Sequence, residues 1–192
     1  GVGAGGRGGR VPLLALPIDR RPVDAVEGPL GDDGEESVDR GGTYVLFLRP
    51  QSPGPVRVGS LGALELRPGS YAYVGSGFGP GGVEARLRRH LEGGDAVHWH
   101  VDYLRRRSEP EEAWVTRDPE RREHEWAAAL AGLAGADVPL TGFGSSDCSC
   151  AAHLFRFGRR PTLERFRRAA ARRADGEPSR IRRVYGSGRT AG

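Results

Sequence analysis

The alternation of apolar and polar positions changes character partway along the chain. From residue 1 to about 40, glycine, proline and acidic residues break every short apolar run. Such a stretch buries too little apolar surface to offset its ordering entropy, which predicts a disordered N-terminal extension. From Gly42 the pattern becomes regular. Thr43-Tyr44-Val45-Leu46-Phe47-Leu48 is β-branched, aromatic and apolar between Gly42 and Pro50, and reads as a buried strand. Val56–Val58 and Ala63–Leu66, parted by Gly-Ser-Leu-Gly, predict a hairpin, and Ser70–Val74 predicts another strand after the Pro68-Gly69 turn. A glycine-rich loop over Gly75–Gly82 precedes a helical period in which Val83, Leu87 and Leu91 share one stripe. Arg86 and His90, four apart, then share another face of that helix. His98–Arg107 reads as a second helix and Glu112–Thr116 as a strand.

Asp118-Pro119 has the form of an N-cap followed by proline at the first helical position, so a helix is expected from there to about Ala134, with Trp126, Leu130 and Leu133 inward. A loop over Thr141–Cys150, a short strand over His153–Phe157, an Arg-rich helix over Pro161–Ala174 and a tail complete the chain. Strands that pair early and helices that surround them give an α+β fold. The expected organisation is an extension (1–40), a folded domain (41–160) and an Arg-rich C-terminal helix and tail (161–192).

Composition adjusts this picture only in part. All 29 basic residues are Arg, and Asn is also missing, which points to GC-rich coding more than to function. Arginine nonetheless carries a planar fork that suits phosphate. The net charge of +4 is unevenly spread, with acids in Asp32–Asp39 and arginines in Arg86–Arg107 and Arg156–Arg183. A polyanion partner and a plain solvated surface both fit that distribution. Two cysteines in one C-x-C make no disulfide framework, so a reducing, cytoplasmic setting is expected. No apolar run approaches the ~20 residues of a membrane span. Val11–Pro17 is too short and too proline-broken for a signal peptide.

Cleaving a phosphodiester needs a water nucleophile, a proton acceptor, positive charge at the phosphorane and commonly a divalent metal. Tyr44 and Tyr73 fall on strands that can be neighbours, and Arg86 lies one turn into a helix behind glycines that let backbone approach an anion. Gly42-Thr43-Tyr44, Tyr73-Val74-Gly75 and the following Arg86 together resemble the GIY-YIG nuclease family, with Thr43 standing where that family has Ile. Tyr71–Ser76 with Gly79–Gly82, His98–Leu104, and Gly142–Cys150 with His153-Leu154-Phe155 are similar to its Uri-type endonuclease branch. The resemblance covers Gly42 to Phe157.

This resemblance implies a small antiparallel sheet flanked by helices and a metal-dependent endonuclease acting on DNA, in repair or on branched structures, with RNA also open as substrate. Tyr44 would act as base or position the water, Tyr73 would hydrogen-bond the scissile phosphate, Arg86 would stabilise transition-state charge, and His90 would assist proton transfer. A helix glutamate would hold Mg²⁺ or Mn²⁺. Glu125 is preferred for its His124-Glu125-Trp126-Ala127 context, while Glu123 lies nearer the inward face of the helix. Gly75, Ser76, Arg88, Arg89, Arg105, Arg106 and Arg107 are candidate nucleic-acid contacts. A non-catalytic nucleic-acid-binding module is the alternative. Separately, Cys148, Cys150 and His153 are zinc-type ligands, with a fourth open among His98, His100 and Asp147. Their spacing is short for a zinc knuckle, and a buried loop anchored by two small residues is the simpler reading.

Overall fold

The computed structural model describes residues 41–93, 97–173 and 180–186. The extension expected over 1–40, and residues 174–179 and 187–192 of the expected tail, lie outside them. The described elements are β1 (Thr43–Pro50), β2 (Gly54–Val58), β3 (Gly62–Leu66), β4 (Ser70–Ser76), α1 (Gly82–Glu92), α2 (His100–Arg105), β5 (Ser108–Thr116), α3 (Glu123–Ala131), β6 (Leu154–Phe157), α4 (Leu163–Ala171) and β7 (Arg182–Gly186). Five strands form an antiparallel sheet in the order β6-β4-β1-β5-β7, and β2 and β3 pair as a separate hairpin. The α+β class read from the sequence is the observed one.

Register assigns each strand residue to a face. Tyr44 pairs with Gly75 and Leu46 with Tyr73, so the two tyrosines are diagonal neighbours on one face, while Val45 opposite Val74 points to the other. The tyrosine face packs against Val83 and Leu87 of α1, Val101 and Leu104 of α2, and the β2–β3 hairpin. The opposite face packs Val45, Phe47, Trp114 and Phe155 against Trp126 and Leu130 of α3 and Phe166 of α4.

Four boundaries depart from the sequence reading. Helix α3 starts at Glu123, not Asp118. The Asp118 carboxylate accepts the Glu120 N–H at 2.9 Å in an Asx turn and holds the Arg122 Nε at 2.9 Å, while the Arg122 N–H donates to Thr43 Oγ1 at 3.2 Å. These bonds tie the segment to the start of β1, and winding begins only after it. Helix α2 is shorter than expected because Asp102 accepts the backbone N–H groups of His98 and Trp99 at 2.8 and 3.0 Å, capping the helix at His100. Strand β5 begins at Ser108 and runs through Pro110, next to a register shift opposite Phe47 and Leu48 that accommodates the missing N–H. The expected C-terminal tail contains β7, whose residues pair with Glu112–Val115 of β5. Five residues with two adjacent arginines show no clear two-residue period, and their partner strand lies far away in sequence.

Candidate active site

The site forms where β1, β4 and α1 meet. Tyr44 and Tyr73 are both buried, with ring centroids 6.2 Å apart. The Tyr44 phenol lies directly over Gly75, where a Cβ would come within 2.4 Å of its hydroxyl oxygen. Gly42 is as constrained, because a Cβ there would meet the Thr116 carbonyl oxygen at 2.3 Å. Both motif glycines are therefore required by close approach, and Gly75 serves to seat Tyr44.

His90 packs into the same space. Its ring centroid is 5.9 Å from Tyr44, 6.4 Å from Tyr73 and 5.5 Å from Trp99, and the residue is 2 % exposed. Its Nδ1 lies 3.3 Å from Asp102 Oδ1. Burial outweighs the Asp102 carboxylate and, with Arg86 and Arg89 adding to it, lowers the imidazole pKa to about 4. The ring is neutral at physiological pH, and a carboxylate at Nδ1 favours the Nδ1–H tautomer, which leaves Nε2 as proton acceptor. Burial also raises the Tyr44 phenol well above its ordinary pKa, with Tyr73 and Glu123 adding to it against Arg86. Tyr73 is raised by burial first and by Glu123 second. Both phenols stay protonated at physiological pH.

Arg86 is fixed on two sides. Its Nη1 donates to the Ser76 carbonyl at 2.7 Å, and its guanidinium lies 4.7 Å from the Trp99 ring centroid. Arg89 lies 4.2 Å from the same ring and 3.7 Å from Asp102. Trp99 and Asp102 thus organise the basic side of the site. The sequence reading placed them in a family-like segment without assigning them a role, because neither their own spacing nor the helix period reveals that they face α1.

Of the two helix glutamates, the fold brings Glu123 to this place. Ser76 Oγ donates to Glu123 Oε2 at 2.6 Å, and His153 Nδ1 lies 3.5 Å from Oε1. Burial pushes this carboxyl up, but His153 and the Ser76 hydroxyl outweigh it and hold the group below the usual carboxylate range. Glu125, preferred on its local context, instead pairs with Arg122 at 3.1 Å, which also holds Asp118 and Glu120. The reason is helical geometry, since two residues make about 200° of turn and put the glutamates on opposite sides of α3.

The remaining candidate contacts separate by exposure. Ser76 is buried and acts as a hub between Arg86 and Glu123. Arg105 is not available to phosphate, because its guanidinium donates to the carbonyls of His90, Ser108 and Leu91 and ties α1 to β5. Arg107 reaches Ser52 Oγ at 3.3 Å. Arg88 and Arg106 are exposed.

Beside Glu123, Cys148 Sγ lies 3.5 Å from His153 Nε2 and Cys150 Sγ lies 3.3 Å from His124 Nδ1. The fourth member of this group is His124, not His98, His100 or Asp147. His100 Nδ1 accepts the Gly144 N–H at 3.0 Å instead. His124 comes from α3, well before the C-x-C in sequence, so no local spacing links it to the two thiols.

None of the described helices is long and apolar enough to cross a membrane. A family model described as "Domain of unknown function DUF123" matches residues 43–175. That span is more than half of the chain, and the chain belongs to this family. No curated protein and no solved structure matches it.

Proposed function

We propose that this DUF123-family protein is a divalent-metal-dependent endonuclease that hydrolyses phosphodiester bonds in DNA, the activity implied by its resemblance to the GIY-YIG nucleases. The observation that carries this reading is the convergence of Tyr44, Tyr73, Arg86, His90 and Glu123 from four separate elements onto one end of the β1–β4 seam. Arg86, anchored through one nitrogen to Ser76, keeps further N–H groups to stabilise charge on a phosphorane. The Tyr73 hydroxyl, held protonated, donates to a phosphate oxygen. Tyr44 orients the attacking water; its raised pKa disfavours the phenolate that a direct base would need. The neutral His90 ring is the better proton acceptor, and Asp102 steadies the imidazolium that forms.

Glu123 fits the metal role, because its carboxylate stays charged while only partly open to solvent. A hard cation such as Mg²⁺ or Mn²⁺ bound there supplies charge to the phosphate oxygens. The test uses the purified full chain with Mg²⁺ or Mn²⁺ on duplex, single-stranded, flapped and branched DNA and on RNA. Arg86→Ala should lower cleavage roughly 10²–10³-fold at unchanged melting temperature, and Glu123→Gln should abolish cleavage while binding persists. A wild type inert on every substrate with every ion overturns the enzyme reading and leaves a nucleic-acid-binding module.

A further inference from the structure

We propose that His124, Cys148, Cys150 and His153 form a four-coordinate structural zinc site that positions Glu123. Their ligating atoms all lie within 4.8 Å of one another. Zn–S and Zn–N bonds of about 2.3 and 2.0–2.1 Å imply tetrahedral S···N edges of roughly 3.5 Å. The Cys148–His153 and Cys150–His124 separations of 3.5 and 3.3 Å already match those edges. Two thiolates with two imidazoles select a borderline-soft ion over Mg²⁺ or Ca²⁺. Four protein ligands leave no open position for substrate, which makes the site structural.

A second observation points the same way. His153 is 1 % exposed, and its Nδ1 has no completed hydrogen bond. That nitrogen faces Glu123 Oε1 at 3.5 Å, while Nε2 faces the Cys148 sulfur. A histidine with one nitrogen toward the ligand cluster and the other toward a carboxylate has the arrangement of a metal-bound imidazole with its outer-shell acid. A metal at Nε2 fixes the proton on Nδ1 and directs it to Glu123, whose other oxygen takes the Ser76 hydroxyl. The cluster joins the first turn of α3 to the loop before β6. Zinc would thus act as a positioning element for Glu123. Its binding is independent of whether the neighbouring site cleaves DNA.

The experiment is metal analysis and Co²⁺ titration of the untagged full chain after chelator stripping. The expected result is one equivalent of tightly held zinc, with a Co²⁺ form showing thiolate-to-metal charge transfer and intense tetrahedral d–d bands. One equivalent of Zn²⁺ should bleach that spectrum, and excess Mg²⁺ should not. Cys150→Ser and His124→Ala should each remove the tetrahedral spectrum, whereas His98→Ala should leave it unchanged. Glu123→Gln should keep the spectrum but weaken zinc about 10–100-fold in competition with a chromogenic chelator. Substoichiometric metal, or a weak octahedral Co²⁺ spectrum insensitive to Zn²⁺, overturns the proposal. The wild-type spectrum decides the matter even if the cysteine variants fail to fold, and no reading depends on cleavage.

Discussion

Tyr44 and Val45 are adjacent in the chain, as are Tyr73 and Val74, yet each pair divides between two different interiors. Behind the sheet, Phe166 lies between two tryptophans, its ring centroid 5.1 Å from both Trp114 and Trp126, in a layer of aromatic and aliphatic side chains. Glu112 on this face is neutralised by Arg160 at 2.9 Å and Arg183 at 3.0 Å. In front of the sheet, burial is nearly as complete but encloses phenols, an imidazole and, close by, the Arg86 guanidinium and the Asp102 carboxylate. The back face gains stability from shape and area. The front face holds polar groups away from water, and each must find a partner or shift its protonation. That cost makes the front face the candidate site, since buried titratable groups with shifted protonation cluster at functional sites.

Three perturbations separate the faces. The largest effect belongs to the back: Phe166→Ala should cost about 3–5 kcal/mol in urea unfolding, while the metal and nucleic-acid binding of the fraction that remains folded stay unchanged. A loss of binding out of proportion to unfolding would show that the two faces are coupled.

Acid should act on the front face. An unfolded His90 takes up its proton near its ordinary pKa of 6.5, whereas the native ring resists until about pH 4. The native state therefore holds its full share of this stability above pH 6.5 and loses it as pH falls toward 4, by about 3 kcal/mol in total. Urea melts of wild type and His90→Phe across that range should converge on acidification, since the variant lacks the titrating ring between Asp102, Arg86 and Arg89. Parallel curves would mean that His90 takes up its proton as readily in the native state as in the unfolded one.

The smallest effect is expected at Glu125, on the far side of α3 from the site. Glu125→Gln should change stability by less than about 1 kcal/mol, since a partly exposed ion pair contributes little and Arg122 keeps Asp118 and Glu120. Cleavage and metal content should not move. Loss of either would return the carboxylate role to Glu125 and break the distinction between its side of α3 and the side of Glu123.

Much of the fold was legible because its determinants are local. The apolar run at Thr43–Leu48, the turn at Pro68-Gly69 and the stripe of Val83 and Leu87 each fixed an element, and α1 carried Arg86 and His90 to one face as its period required. The failures share a cause. Asp118-Pro119 has a helix-start pattern, but Thr43 and Arg122 capture that segment through bonds formed only on folding. Strand β7 depends on an edge of β5 that lies far away in sequence. Arg105 looked free because the carbonyls that hold it belong to other elements.

By itself the sequence determined the α+β class and the strand and helix that carry Tyr44, Tyr73, Arg86 and His90, since periodicity and turn chemistry act between near neighbours. The tertiary structure decided which glutamate reaches Ser76 and His153, why positions 42 and 75 require glycine, which arginine is spent on backbone, that His90 is neutral, and that His124 joins Cys148, Cys150 and His153. Each of these depends on a distance or a dielectric environment set by segments far apart in the chain, and such quantities come into being only when the sheet closes and its faces are covered.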